Sequence, residues 1–217
     1  MKFYNSPGPN PRVVRIFMAE KGIDVPFEEI DVFGAENRRP PYSDNNPAGQ
    51  LPALELDDGT WLAETVAICE YLEDLNPEPP LIGNTPQEKA EQRMWQRRIE
   101  LNITEHLYNG YRYSLGLEVF KDRIPCIPEA ADGLKRRVQI ELAWLDSLMK
   151  RKTYICGDRF TLADIILYCA LDFGEGAGQS MDSGLININA WFSHVHTRAS
   201  AAASVHPEAA ALGRRGL

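Results

Sequence analysis

The sequence is poor in cysteine, and its four cysteines stand far apart at positions 69, 126, 156 and 169. Because no C-x-x-C pair occurs and the spacing is wide, the pattern argues against a disulfide scaffold. Basic residues are also in deficit, with 23 Lys and Arg against 31 Asp and Glu and a formal net charge of −8. Nucleic acids and anionic membrane surfaces select for a basic footprint, so this balance argues against both as partners.

Long apolar runs are missing as well. No stretch of 18 apolar residues occurs, and the N-terminal residues contain no apolar signal core. We therefore expect a cytoplasmic protein. The rest is typical of a folded globular chain, because 217 residues with 44% hydrophobic and 25% charged residues suffice for one or two domains.

Proline is scarce only in the second part of the chain. Twelve of the 15 prolines lie at or before residue 86, and only Pro125, Pro128 and Pro207 follow. Since proline interrupts helices and sheet interiors, the first part is predicted to alternate short elements with turns and the second to be mostly helical. We predict domains at residues 1–78 and 87–217, with the proline-rich segment between them as a linker.

Residue patterns in the first part predict the order βα, βα, ββα. Strands are predicted at residues 2–4, 30–32, 51–56 and 61–62. The first helix is predicted to have Asn10 as its N-cap and Pro11 as its first residue, and to end at Gly22. In the second part, apolar residues recur at helical spacing, and residues 161–164 resemble a capping box. The fold class is therefore α+β.

Three features of the first part could bind a small peptide-like ligand. The turn at residues 7–9 leads into a helix start, whose free N–H groups favour an anion. Leu51, before Pro52, could pair its backbone with a short peptide, as an added strand does. Glu64 and Thr65 place a carboxylate and a hydroxyl at another helix start. Each feature taken alone is also explained by an ordinary turn or helix cap.

Taken together, the motifs resemble those of the soluble glutathione transferases over nearly the whole chain. The resemblance rests on Pro7-Gly8-Pro9-Asn10-Pro11, Asn46-Pro47, Leu51-Pro52, Asp57-Asp58-Gly59-Thr60, Glu64-Thr65 with Ala67-Ile68, Gly157-Asp158 and Thr161-Leu162-Ala163-Asp164-Ile165. It implies a thioredoxin-like N-terminal domain followed by an all-α C-terminal domain, a homodimer, and glutathione as the co-substrate.

The resemblance also implies a glutathione site in the first domain. Leu51, before the family's cis-proline Pro52, would bond to the cysteinyl backbone of glutathione. Glu64 and Thr65 would hold its γ-glutamyl end. Candidates for the glycyl carboxylate are Arg39, Asn37 and Gln50, although Arg38 and Arg39 are equally compatible with a solvated surface.

The residue that usually stabilises the glutathione thiolate is missing. Family members place a Tyr, Ser or Cys after the first strand, where this chain has Gly8, Pro9 and Asn10. The chain is most similar to a fungal and bacterial subgroup that lacks that residue, in which side chains of the helical domain hold a water beside the sulfur. The histidine of that subgroup is replaced here by Arg112 or Tyr113. Our candidate catalytic residues are Asn10, Ser6 and Tyr113.

The second substrate is expected between residues 6–9 and a tyrosine-rich helix of the second domain. Candidate contacts are Pro9, His106, Tyr111 and Tyr113, with a role in the helix core as an equal alternative for the tyrosines. The expected function is conjugation of glutathione to a moderately apolar electrophile. A non-catalytic module that binds glutathione or another ligand, and a glutathione-dependent peroxidase or disulfide reductase, remain open alternatives. No metal site is expected.

Overall fold

The N-terminal part of the computed structural model, which describes residues 1–212 and 216, is built on a mixed four-stranded sheet. The strand order is β2-β1-β3-β4, with β1 and β2 parallel and β3 antiparallel to both β1 and β4. The strands are β1 (Lys2–Asn5), β2 (Phe27–Glu29), β3 (Ala53–Glu55) and β4 (Trp61–Ala63), and the helices between and after them are α1 (Pro9–Lys21), α2 (Tyr42–Asn45) and α3 (Thr65–Leu75). This is the thioredoxin-like arrangement that the sequence predicted.

Several of the predicted boundaries are wrong. The third strand covers only Ala53–Glu55 of the predicted residues 51–56. The second strand occupies Phe27–Glu29 rather than residues 30–32. It is an exposed edge strand, and buried Ile30 only donates its N–H to the Asn5 carbonyl at the end of the ladder (2.9 Å). The first helix begins at Pro9 with Gly8 as its N-cap, so Asn10 is a helical residue and not the cap. Its predicted end is confirmed, because Gly22 adopts the left-handed conformation with φ 63°.

The rest of the described chain is helical. Its helices are α4 (Pro86–Ile99), a π-helical turn (Glu100–Thr104), α5 (Glu105–Arg112), α6 (Leu117–Phe120), α7 (Ala131–Leu148), α8 (Leu162–Gly176), α9 (Ile186–His196) and α10 (Ala199–Ala203). This agrees with the predicted all-α C-terminal domain, of which residues 213–215 and 217 lie outside the described residues. The exact domain limits stay a prediction. Within the described part of the chain, no helix is both long and apolar enough to cross a membrane.

Helix α8 forms the centre of the helical part, since nearly all its residues are buried. The predicted capping box is present at its start, where Thr161 and Asp164 bond to each other's backbone N–H groups. Buried Asp164 also accepts hydrogen bonds from the Ile155 N–H (2.8 Å) and the Trp191 indole (2.9 Å). The carboxylate therefore ties three segments of the core together.

A buried ion pair connects the two parts of the molecule. Arg12 of α1 donates to Asp172 of α8 (2.6 Å), and its other nitrogens reach Ser204 Oγ (3.1 Å) and the Ala201 carbonyl (3.2 Å). Arg12 is 1% exposed. Because α1 also begins at the edge of the sheet, this contact fixes that edge relative to the helices.

Candidate active site

The strand register places several of the predicted site residues at one edge of the sheet. Tyr4 pairs with Ala53, which pairs with Ala63. One residue further along each strand, Asn5, Pro52 and Glu64 fall side by side at this edge. The peptide bond between Leu51 and Pro52 is cis, as the resemblance implied. Strand β3 begins directly after Pro52, and Leu51 is half-buried at this edge of the sheet.

Two carboxylates lie near the start of α3. Glu64 precedes the helix with a left-handed φ of 71° and makes no capping hydrogen bond, so its exposed carboxylate remains available. Thr65, the first helical residue, is half-buried beside it. Glu100, from the π-helical turn, lies near enough that the charge of Glu64 adds to burial in raising the pKa of Glu100. Nothing in the sequence marked Glu100, because only the fold brings it to α3.

The first turn of α1 offers a backbone donor at Asn10. Pro9 and Pro11 have no N–H, and the N–H of Arg12 already bonds to the Gly8 carbonyl (3.2 Å). In the described first turn of α1, Asn10 therefore carries the one free backbone N–H. Its half-buried side-chain amide makes no hydrogen bond with another described residue. Asn10 is thus the residue of this turn best able to bind an anion.

A buried arginine supports this turn from behind. Arg15 donates to Asn5 Oδ1 (2.6 Å), to the carbonyl of buried Ser6 (3.2 Å) and to the Ser204 carbonyl (2.8 Å). Burial lowers the pKa of Arg15 to about 10, so the guanidinium stays charged at neutral pH. Sequence reasoning missed this residue, since its helical position reads as an ordinary surface arginine.

The loop after β2 is held in place by its own polar side chains. Asn37 is buried and donates to the Gly49 carbonyl (2.6 Å). Gly49 has a φ of 56°, and a Cβ there would meet the Asn37 carbonyl at 2.9 Å, so glycine is required. Arg39 is exposed and donates to the Gly34 carbonyl within the same loop (2.8 Å). The side chain of Gln50 is exposed beside Leu51.

The tyrosine-rich helix α5 divides its aromatic residues between the core and the surface. Tyr111 is 8% exposed and packs edge-on against Phe173, with 5.0 Å between ring centroids. Tyr108 is also buried, so the core role that the sequence left open holds for both. His106 and Tyr113 are half-buried, as is Pro9 at the start of α1.

Comparisons with known proteins give the family of this chain. Family models described as the N-terminal and C-terminal domains of glutathione S-transferase match residues 7–75 and 124–199. The chain is 32% identical to glutathione S-transferase 2 of Saccharomyces cerevisiae over 208 residues, which cover 92% of this chain and 87% of that one.

Solved structures show the same similarity. Gtt2 from Saccharomyces cerevisiae superimposes with a TM-score of 0.87 and 30% identity, covering 94% of this chain and all of the other. A glutathione S-transferase domain-containing protein of Marinobacter aquaeolei VT8 gives a TM-score of 0.86 and 35% identity, covering 93% of this chain and all of that one. From its sequence and its fold, this chain belongs to the glutathione S-transferase family.

Proposed function

We propose that the protein joins glutathione, through a new bond to its sulfur, to a carbon of a moderately apolar electrophile. The observation that supports this proposal is the cis peptide bond between Leu51 and Pro52, with the exposed carboxylate of Glu64 before α3 and the backbone N–H of Asn10 in the first turn of α1. They match the backbone, the ammonium group and the sulfur of a γ-glutamyl-cysteinyl peptide.

The γ-glutamyl end would bind at the start of α3. Its ammonium group would lie near Glu64, with Glu100 adding negative potential. Its carboxylate would accept hydrogen bonds from Thr65 and the free N–H groups at the helix start. Leu51 would pair with the cysteinyl backbone, and Gln50, Asn37 and Arg39 remain our candidates for the glycyl end.

The reaction requires the thiolate, since a free thiol with a pKa of about 8.5 is only a few per cent ionised at neutral pH. Asn10 would stabilise the negative sulfur through its backbone N–H and its side-chain amide. The positive end of α1 and the buried charge of Arg15 favour the same ionised form. The sulfur would then attack the electrophile between this turn and the segment that carries His106 of α5 and Tyr113 at its C-terminal end. Ser6 is buried, and we keep it and Tyr113 as catalytic candidates.

Glu64→Gln tests the binding part of this proposal. Loss of the carboxylate should raise the KM for glutathione about tenfold with a smaller change in kcat, because a hydrogen-bonded charge pair contributes about 1.5–3 kcal/mol to binding. Steady-state kinetics against varied glutathione measures it. Glu78→Gln, at an exposed position after α3, is the matched control. Equal KM values for the two variants would rule out the proposed γ-glutamyl contact.

Thiolate absorbance of bound glutathione separates catalysis from binding alone. An enzyme of this mechanism should lower the pKa of the bound thiol below its free value, whereas a binding module without turnover would leave it there. Parallel assays with aryl halides, hydroperoxides and mixed disulfides distinguish conjugation from peroxidase or disulfide reductase activity.

We also propose that the protein is a cytoplasmic homodimer. Met94 of α4 and Leu101 of the π-helical turn are apolar, 41% and 53% exposed, and about two helical turns apart. A second copy would cover them. Leu101→Glu should shift sedimentation toward the monomer at micromolar concentration, whereas Ile186→Glu, at a 74% exposed position on α9, should not. Unchanged dimers in the Leu101 variant would place the interface elsewhere.

A further inference from the structure

Two arginines from separate parts of the chain lie at the loop after β2. Arg123, just beyond α6, reaches across from the helical part and donates to the carbonyls of Val32 (2.5 Å) and Phe33 (2.8 Å). Arg38, in the same loop, donates to the Ala48 carbonyl (3.0 Å). The loop therefore brings cations of both domains to one place.

A third arginine, Arg112 at the end of α5, lies beside Phe120, whose carbonyl accepts the backbone N–H of Arg123 (2.9 Å). Arg112 donates to Asn109 (3.1 Å), and its guanidinium lies 6.0 Å from the ring centroid of Tyr108 and 5.7 Å from that of Phe120. It stands between Tyr111 and Tyr113 in the sequence, on the helix to which the proposed function assigns the electrophile. We call Arg38, Arg112 and Arg123 the arginine cluster.

The arginine cluster has no counter-ion of its own. Within residues 1–212 and 216, none of its three members forms an ion pair, whereas Arg12, Arg137, Arg159 and Arg198 each do. Burial, followed by the like charges of Arg123 and Arg112, lowers the pKa of Arg38. The Nε of Arg38 is buried and has no hydrogen-bond partner. Clustered cations with no counter-ion among the described residues, in a chain of net charge −8, indicate a place for an anionic ligand.

We infer that the arginine cluster binds a carboxylate carried by the electrophile. The preferred second substrates are then unsaturated or aromatic carboxylic acids rather than neutral electrophiles. Guanidinium groups suit this task because their N–H donors match the two oxygens of a carboxylate. Two of the three arginines belong to the helical part, which argues for the electrophile rather than glutathione as the source of the anion. This inference rests on the proposed function.

Two substrates that differ in the charge of one group isolate the effect of the carboxylate. In 4-chloro-3-nitrobenzoate, the glutathione sulfur bonds to the ring carbon that bears chlorine, and the carbon–chlorine bond breaks. Chloride leaves with the electron pair, and the thiol proton passes to solvent. The carboxylate takes no part in the bond changes, so the methyl ester of the same compound differs at the arginine cluster by one negative charge.

The experiment compares kcat/KM for the acid and the ester in Arg112→Gln, Arg112→Lys and the wild type. Arg112→Gln should lower the acid-to-ester ratio about tenfold and leave the glutathione KM unchanged, because a hydrogen bond to a charged group is lost only for the acid. Arg112→Lys should retain part of the ratio. Arg136→Gln, at an exposed position on α7, is the control and should behave as the wild type. Each variant is assayed with both compounds, so the difference in their intrinsic reactivity cancels when the acid-to-ester ratios of two variants are compared.

Two outcomes would overturn the inference. One is an acid-to-ester ratio that Arg112→Gln does not change. The other is an equal loss for both compounds with a raised glutathione KM, which would assign the cluster to the glycyl carboxylate of glutathione.

Failure of the proposed function gives a different result, namely no thioether from either compound with the wild type. In that case, calorimetry can still measure how tightly the two preformed glutathione conjugates bind, and so test whether the arginine cluster binds the carboxylate. Tighter binding of the acid conjugate that is lost in Arg112→Gln supports the site, and equal binding of both conjugates refutes it.

Discussion

At the scale of single residues, Arg15 shows how the core holds the candidate site. Its guanidinium supplies donors to three oxygens, including the Ser6 carbonyl at the β1–α1 turn. Arg15→Met should lower the free energy of unfolding by about 2–4 kcal/mol, because buried acceptors lose their partners. It should also raise the pKa of bound glutathione, since a positive charge near the turn is removed.

Urea unfolding and thiolate absorbance measure these two effects. Arg136→Met removes an exposed arginine and is the control. Arg15→Lys keeps the charge and should lose stability while retaining most of the ionised thiol. Equal unfolding curves for Arg15→Met and the control would show that the guanidinium does not support the turn.

The sequence pointed to candidate site residues only where they belong to a short local motif. Leu51, Pro52, Glu64 and Thr65 sit in short motifs, and the fold brings them to one edge of the sheet. The members of the arginine cluster are up to 85 positions apart in the chain. Each alone reads as a surface arginine, so only the contact of Arg123 with the loop after β2 could reveal the cluster.

At the scale of elements, the start of α8 combines a helix cap with a buried charge. Burial raises the pKa of Asp164 to about 6 from an ordinary 3.8, although four hydrogen bonds oppose this. Because its folded-state pKa lies above the unfolded one, the folded chain binds the proton more tightly. The contribution of Asp164 to the free energy of unfolding therefore falls as pH rises from about 4 to about 6.

Asp164→Asn removes the titratable carboxyl group. It also replaces one of the two carboxylate oxygens, which accept hydrogen bonds, by an amide nitrogen. Its amide nitrogen would face the donors of Thr161, so we expect a loss of about 2–4 kcal/mol at pH 7. Between pH 4 and 6, its unfolding free energy should depend less on pH than that of the wild type. Denaturant titrations at several pH values measure this, with exposed Asp74→Asn as the control. Parallel pH profiles for the wild type and Asp164→Asn would contradict the assignment.

Elements with strong local signals were predicted better than those set by pairing. The α8 capping box and the Gly22 helix end depend on neighbouring residues, and both are confirmed. Strand β2 depends on its parallel register with β1, which selects the exposed Phe27–Glu29 over the more apolar residues beside it. Helix α1 starts at Pro9 rather than at the predicted Pro11, because proline also fits the first helical position at residue 9.

At the scale of the whole molecule, the buried pair of Arg12 and Asp172 joins the sheet domain to the helices. The proline distribution predicted the two kinds of domain, but the contact between them brings together residues 160 positions apart. No local pattern encodes such a contact. Because Arg12 lies in the same first turn of α1 as Asn10, the pair also fixes the helix start that carries the candidate sulfur contact.

A double-mutant cycle on this pair tests whether it couples the domains. Arg12→Met should lower the free energy of unfolding by about 3–5 kcal/mol, because it removes the cation that faces buried Asp172. Adding Asp172→Leu should restore part of that loss, so the double variant is less destabilised than the sum of the singles by about 1–3 kcal/mol. Urea unfolding followed by tryptophan fluorescence and by circular dichroism gives these values. Additive losses would mean that the two side chains act independently, and the orientation of α1 at the sheet edge would then depend on its other contacts, such as those of Arg12 and Arg15 with Ser204.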